Sequence, residues 1–397
     1  MRQAAREKGL LSYPTPLTPP TTEDDRLSWL RLIRSRRVGV ATFYRLLEEY
    51  GSARDALRAL PEIARAAGVE KYTPCPEGAA VAELKAGDRA GARLICRGDP
   101  DYPAPLAEIP DAPPVLWALG DPALAQRPMV ALVGARNASS LGTRMARKLA
   151  EGLGEAGFTV VSGLARGIDT ATHIAALPGG TVAVMAGGVD VAYPLENAGL
   201  ADKIARQGWC VSEQPCGVDP QARHFPLRNR IIAGLSKGTI VVEAAVRSGS
   251  LITARLALEQ GREVLAVPGH PFDGRAGGCN TLIRDGAVLV RSVADVLEVV
   301  SPEAPSRPAA AAAPGRDRPR ASAAVSPAPP DSSTRDWRDM AALHDQILDR
   351  LGPSPLAEDQ LIRDLALPPA AVAPELLSLE LDGRIARHAG GLLSRVN

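Results

Sequence analysis

From Met129 to about residue 300, short valine-rich runs alternate with longer amphipathic stretches, and this alternation limits the fold more than any other feature of the chain. The runs are "MVALVG", "FTVVSG", "TVAVMAGG", "WCVSE", "GTIVVEA", "EVLAVPG" and "AVLV". A strand with one wet face alternates apolar and polar residues; a continuous apolar run is covered on both faces. The stretches between the runs can supply both the covering helices and the crossovers that parallel strands require. The expectation is an α/β fold with a doubly wound, Rossmann-like parallel sheet over residues 129–300.

The flanks read differently. Residues 1–25, ending in "PTPLTPPTTEDD", predict a disordered tail. Over 26–70, "LSWLRLIRSRRVGVATFYRLLEEYGSARDALRAL" predicts a helix, a tight "RRVGV" turn and a second helix ending at Gly51. Residues 71–128 are proline-rich, with "DPDYPAPLAEIPDAPPVLWALGD" predicting an extended connection. Residues 301–334 are rich in alanine, proline and serine, a flexible linker by composition. Helical periodicity resumes over 335–397 and closes on "LELDGRIARHAGGLLSRV", two strand-like runs around a Gly-Gly turn, as in a winged helix. Two to three domains are what 397 residues would hold.

Net charge excludes a general polyanion-binding surface: at +1 overall, a nucleic-acid site must be a local patch. The five cysteines (75, 96, 210, 216 and 279) are odd in number and form no C-x-x-C pair, which predicts reduced thiols and no zinc framework. The five histidines make no metal-like cluster. No run approaches the roughly twenty apolar residues of a membrane span, and the first residues lack the apolar core of a signal peptide. A cytoplasmic protein without metal or cofactor is expected.

In an open parallel sheet, ligands bind beyond the carboxyl ends of the strands. Five glycine-containing loops fall there: "GARNASSLG" (134–142), "SGLARGID" (162–169), "GGVDVAYPLEN" (187–197), "EAAVRSGSLITA" (243–254) and "PGHPFDGRAGGCN" (268–280). Together they favour a phosphate-bearing ligand, because glycine lets backbone approach an anion and helix N-termini offer unpaired N–H groups. A dinucleotide cofactor needs G-x-G-x-x-G, whereas Gly134 is followed by Ala135 and Arg136 and the later glycines are missing. A P-loop sequence is also missing. In "FPLRNRIIAGLS" (225–236), Leu227, Ile231 and Leu235 predict a core-facing helical stripe. Arg228 and Arg230 nevertheless occupy its first turn, where cations oppose the helix dipole. From Pro220 to Val242 there is no acidic residue, while Arg223, Arg228, Arg230 and Lys237 surround Phe225. Two readings fit: guanidinium on phosphate with an aromatic under a base, or arginines paired with Glu213 or Glu243 and Phe225 packed as a staple. No catalytic residue is expected. Ser162, Ser248 and Ser250 have no acid–base partner at a usable spacing, Asp169 with His173 reads as packing, and Glu243 as a loop anchor or a base.

The run "SGLARGIDTATH", then "YPLEN", "FPLRNRIIAGLS", "VVEAAVRSGSLITARLALEQGREVLAVPG" and "GCNTLIRDGA" resembles the DprA/Smf family of DNA-processing proteins, almost without gaps over 129–291. The resemblance extends more loosely to a SAM-like N-terminal domain and a winged-helix (DML1-like) C-terminal domain. It implies a protein, not an enzyme, that binds and protects incoming single-stranded DNA, loads RecA onto it in the presence of single-strand binding protein, and forms a homodimer. Matched by motif, the DNA-binding residues would be Arg136, Ser162, Gly163, Arg223, Phe225, Arg228, Asn229, Arg230, Ser248, Gly249, Ser250 and Thr253; the dimer interface would include Asn280, Arg284 and Leu289. Departures are Ala222 where many relatives have lysine, and the turn Val38-Gly39-Val40-Ala41, which lacks the second glycine of a helix-hairpin-helix. Between Arg363 and Arg384 the winged-helix segment carries Asp364, Glu375, Glu380 and Asp382 but no cation, which suits protein contact before duplex DNA. The alternative is a LOG-like phosphoribohydrolase of nucleoside monophosphates, whose P-G-G-x-G-T-x-x-E motif is replaced here by "EAAVRSGSLITA".

Overall fold

The structure, a computed structural model, describes residues 19–301, 337–388 and 391–396. The chain divides into a first unit ending at Val293 and a second beginning at Ala294. The expected linker at 301–334 and residues 1–18 of the expected tail lie outside the described residues, apart from Ser301.

Thr22 begins the first helix with a capping box: its hydroxyl accepts from the Asp25 amide at 3.1 Å, and the Asp25 carboxylate accepts from the Thr22 amide at 3.3 Å. The tail therefore stops short of residue 25. Helices α1 (Glu23–Arg34), α2 (Val40–Tyr50), α3 (Ala53–Ala66) and α4 (Glu77–Ala90) follow. Gly51 ends α2 in the left-handed conformation, at φ 76°. Trp29 meets Phe43 edge-on at 5.1 Å, and Leu30, Leu46, Leu57 and Leu60 close the core around them.

The sequence reading of 71–128 as an extended connection is corrected. Besides α4, this segment contains strands β1 (Arg93–Cys96) and β2 (Val115–Gly120) and the short helix α5 (Ala104–Ala107). Cys96 and Val115 join the core of the helical bundle, so helices and sheet share one interior. The prolines that suggested a linker lie in the connection between β1 and β2, where no ladder amide is needed. Trp117 of β2 packs on α4 at Gly87, where any Cβ would enter its ring, and its indole N–H donates to Glu83 at 2.9 Å.

The seven valine-rich runs are β3 (Met129–Val133), β4 (Thr159–Ser162), β5 (Thr181–Val184), β6 (Trp209–Ser212), β7 (Gly238–Val241), β8 (Glu263–Ala266) and β9 (Val288–Leu289). With β1 and β2 they form one sheet in the order β1-β2-β6-β5-β4-β3-β7-β8-β9. Strands β3 to β9 are mutually parallel; β2 runs antiparallel to β6 and to β1. The connecting helices are α6 (Ser140–Glu155), α7 (Ile168–Ala176), α8 (Ala198–Gln207), α9 (His224–Leu235), α10 (Ser250–Glu259) and α11 (Gly277–Arg284), with α12 (Val293–Val300) after β9. Chain order reverses beside β3, with β4 to β6 on one side and β7 to β9 on the other, so a crevice opens where β3 and β7 end.

The second unit contains α13 (Trp337–Arg350), β10 (Leu356–Ala357), α14 (Glu358–Leu365), α15 (Pro369–Leu381), β11 (Ile385–His388) and β12 (Leu392–Arg395), the element order of a winged helix. Ile347, Leu351, Leu361, Val372, Leu376, Leu379, Ile385 and Leu393 form its core. Glu375 is buried against His344 at 2.7 Å, and Arg387 is held by Glu358 and Glu380. Among the described residues, no helix is long and apolar enough to cross a membrane.

Helical bundle, β1–β2 connection and α9 are linked by charge. Arg34 pairs with Glu83 at 2.9 Å and donates to the Glu213 carbonyl at 3.0 Å. Arg230, its side chain 7% exposed, pairs with Glu213 at 2.5 Å and with Asp111 at 3.2 Å. Removing one member of a buried pair leaves the other charge unmatched. Arg230→Ala is therefore expected to lower the unfolding free energy by about 3–5 kcal/mol, read from urea denaturation. A loss under about 1 kcal/mol would rank the pair with surface bridges.

Candidate nucleic-acid interface

Above the carboxyl ends of β3, β4 and β7, two turns are in direct contact and a third holds them. The Ile168 amide donates to the Ala135 carbonyl at 3.1 Å, and Gly167 lies so close that a Cβ there would strike the carbonyls of Ala135 and Arg136. Its φ of 72° reinforces the requirement for glycine. Glu243, just past β7, accepts from the Ser139 amide at 2.9 Å and from the Ser139 hydroxyl, which anchors the start of α6. Burial raises the Glu243 carboxyl pKa, and the bonds from Ser139 pull it back. The carboxylate is thus a loop anchor, the first of its two sequence readings.

Arg228 forms the floor. It is 7% exposed, and its Nη1 donates to the carbonyls of Gly163 at 2.5 Å and Val184 at 2.6 Å, at the ends of β4 and β5. Nε donates to Asn229 at 3.2 Å. Burial lowers its pKa to about 10; Asp169 opposes that shift, and the like charge of Arg136 adds to it. Asp169 accepts from the amides of Gly163 at 3.2 Å and Ala165 at 3.3 Å and so shapes the turn. Burial raises its carboxyl pKa against the pull of Arg228. His173 Nε2 accepts from the Leu164 amide at 3.3 Å, while Nδ1 lies 2.8 Å from the Thr181 hydroxyl. That hydroxyl donates to the Val160 carbonyl at 2.9 Å, so it accepts from Nδ1–H and the imidazole is neutral. Burial, with Arg228 nearby, holds the His173 pKa at about 3.

At the mouth, the Arg136 guanidinium carbon sits 5.5 Å from the centroid of the Phe225 ring, and Phe225 lies 5.7 Å from Tyr193 at a tilt of 58°. This pair separates two cavities. The larger, about 650 Å³, is also lined by Asn137, Arg228, Asn229, Arg247, Ser248, Gly249, Ser250, Thr253 and Arg275. The smaller, about 460 Å³, is lined by Gly163, Arg166, Tyr193, Pro194 and Leu195. Ser248 and Ser250 share a hydroxyl–hydroxyl bond of 2.7 Å at the start of α10, where the Ser248 hydroxyl also accepts from the Ser250 amide at 3.3 Å.

The structure brings together Arg136, Gly163, Phe225, Arg228, Asn229, Ser248, Gly249, Ser250 and Thr253. Three residues expected there are elsewhere. Ser162 is buried and donates to the Leu132 carbonyl at 2.7 Å. Arg223 is the exposed N-cap of α9 and lines neither cavity. Arg230 faces Glu213 and Asp111, two residues round the helix from Arg228. Leu227 is also corrected: it is 49% exposed, and the core face of α9 is Ile231, Ile232 and Leu235. Because Arg228 takes the inward position, its predecessor is turned about 100° outward. Tyr193, Asn137, Arg247 and Arg275 were not singled out in the sequence, although each lies in a strand-end loop that was.

Of the expected dimer residues, Asn280 makes an internal contact, clamping Gly269 by two hydrogen bonds of 3.2 and 3.0 Å. Arg284 is exposed beside Asp285, and Leu289 is 40% exposed on β9 at the sheet edge.

A histidine held neutral to about pH 3 binds its proton only in the unfolded chain over the interval from about 6.5 down to 3. Stability should therefore fall as pH drops from about 6.5, by up to about 1.4 kcal/mol per pH unit from this residue. In His173→Gln, the decline in urea midpoint between pH 6.5 and 4.5 is expected to be shallower; an identical pH slope would contradict the neutral assignment.

The chain is similar to known proteins over most of its length. The family model described as DNA recombination-mediator protein A matches residues 93–301, beginning at the first residue of β1. A DprA-like N-terminal HHH domain matches 23–86, and a DprA winged helix domain matches 323–391. The DNA processing protein DprA of Streptococcus pneumoniae is 50% identical over 201 residues, 50% of this chain and 71% of that protein. Protein Smf of Escherichia coli is 39% identical over 299 residues, 73% of this chain and 74% of its own length. The X-ray structure of DNA processing protein A from S. pneumoniae matches with a TM-score of 0.56 at 39% identity, covering 66% of this chain and 98% of that one. From the strand order, the switch-point crevice and these matches together, the chain belongs to the DprA/Smf family of DNA-processing proteins.

Proposed function

We propose that the crevice binds single-stranded DNA without regard to base sequence, and that the protein protects incoming strands and loads RecA onto them during transformation and recombination. The observation that carries this reading is Arg136 set against Phe225 between two cavities, over a floor that contains a buried guanidinium. An unpaired strand can offer a base face to Phe225 and its phosphates to Arg136 and Arg247, whereas a duplex keeps its bases stacked inside. Every base has a π-face, so such a contact tolerates any sequence.

Loading RecA requires a length of strand held open, and two crevices in a homodimer would hold two separated parts of one strand. Exposed Leu289 on β9, the last strand of the sheet among the described residues, is the natural centre of that contact, with Arg284 at its rim. The winged helix fits protein contact better than duplex DNA. Its Glu375 and Arg387 are already engaged within the unit, and Ala370, Ala373, Leu377 and Leu381 are exposed on α15 without a cation.

The test is fluorescence anisotropy with oligo-dT across a salt series. Arg136→Ala is expected to weaken binding about tenfold and reduce the log–log salt slope by about 0.7 for one lost phosphate contact. Phe225→Ala should cost about 1–3 kcal/mol for a lost stacked base while leaving the slope unchanged. Wild-type affinity and slope in both variants would overturn the site. For assembly, Leu289→Asp should sediment as a monomer and lose RecA loading while keeping its affinity for a short oligonucleotide. A dimer that persists would move the interface elsewhere.

A further inference from the structure

We infer that the outer face of α6 is a second phosphate track, which carries the strand onward after it leaves the crevice; the inference rests on the single-strand reading above. Residues 140–150 contain Arg144, Arg147 and Lys148 and no acidic residue; the first, Glu151, comes a turn later. All three cations are exposed, and none has an ion-pair partner among the described residues. They stand at i, i+3 and i+4, the spacing that puts side chains on one face of a helix and makes like charges repel. The acidic residues of α6, Glu151 and Glu155, come only towards its far end, so the acid-free stretch is the part nearer the crevice. A run of mutually repelling, unpaired cations lowers the stability of the free protein and calls for an anion that neutralises all three.

Placement identifies that anion. Ser139, the N-cap of α6, is fixed to Glu243 at the crevice, and Arg136 stands three residues before it. Exposed Leu141 continues the same ladder to Arg144 and Lys148, so the face runs from the crevice mouth down the side of the sheet. From the start of α6 to Lys148 the helix rises about 12 Å, enough for roughly two or three phosphates. No aromatic stands on this face, so the contact would be to the backbone alone and would add affinity and salt dependence without base stacking. Short strands would fill the crevice only, and longer ones would reach α6.

The experiment compares oligo-dT of about five and about twenty nucleotides on the full chain, in wild type, in the triple variant Arg144→Gln/Arg147→Gln/Lys148→Gln, and in Arg136→Ala. The triple variant is expected to bind the short strand as wild type does, and to bind the long strand at least about tenfold more weakly, with its salt slope reduced by about 2. A thermal midpoint at or above that of the wild type establishes that the variant is folded. If the long strand binds the triple variant with wild-type affinity and slope while Arg136→Ala weakens both strands, the track on α6 is refuted and the crevice stands. Equal losses on short and long strands would also refute it, because the cations would then belong to the crevice. If Arg136→Ala changes neither strand, the underlying single-strand reading fails.

Discussion

The site depends on one buried guanidinium. Taking Arg228 out of water costs several kcal/mol, and the chain offsets that cost with two strand-end carbonyls and the nearby Asp169. The result is a tie across the sheet, from α9 to the carboxyl ends of β4 and β5. Phe225 sits three residues earlier on α9, so fixing Arg228 also fixes the aromatic at the mouth, opposite Arg136. Gly163 belongs to the same arrangement, since any Cβ there would occupy the space of the guanidinium. Arg228 thus acts first as an organiser, and reaches the cavity only with what its three internal hydrogen bonds leave over.

Charge at the crevice suits the anionic ligand proposed above. Arg136 and Arg228 each disfavour the other, in a region dry enough for that to register in the Arg228 pKa. Arg247 lines the same cavity, while the carboxylates of Asp169 and Glu243 are engaged with backbone amides of the turns. A phosphate between the cations would relieve their repulsion, and the low local dielectric would strengthen that contact relative to water. The two readings left open for "FPLRNRIIAGLS" therefore divide residue by residue. Arg230 is the structural ion pair with Glu213, Arg136 and Phe225 form the mouth, and Arg228 bridges the two roles.

Much of this was legible in the sequence. A parallel strand buried on both faces has to be a continuous apolar run, so β3 to β9 announced themselves, and with them the edge at which folds of this kind bind ligands. The first two strands did not. "RLIC" and "VLWALG" are short and are separated by prolines, which read as a linker until the pairing of β1 with β2 is seen. Direction was the second loss. Residue type places Ser162, Arg228 and Arg230 near the crevice but cannot say that Ser162 turns inward or that Arg230 faces Asp111. One residue of helical phase decides this, and Leu227 shows the error. Tyr193 was hidden because a loop has no periodicity, and its place beside Phe225 follows only from the way the turn after β5 folds over the edge.

The central claim, that a single strand lies across Phe225 at the switch point of the sheet, is tested most directly by photocrosslinking. The full chain would be irradiated with a bromodeoxyuridine-substituted oligonucleotide, and the modified peptides sequenced. The account predicts adducts at Phe225 and at Tyr193 beside it. Adducts confined to the winged helix, with none on the loops around β3, β5 and α9, would contradict it.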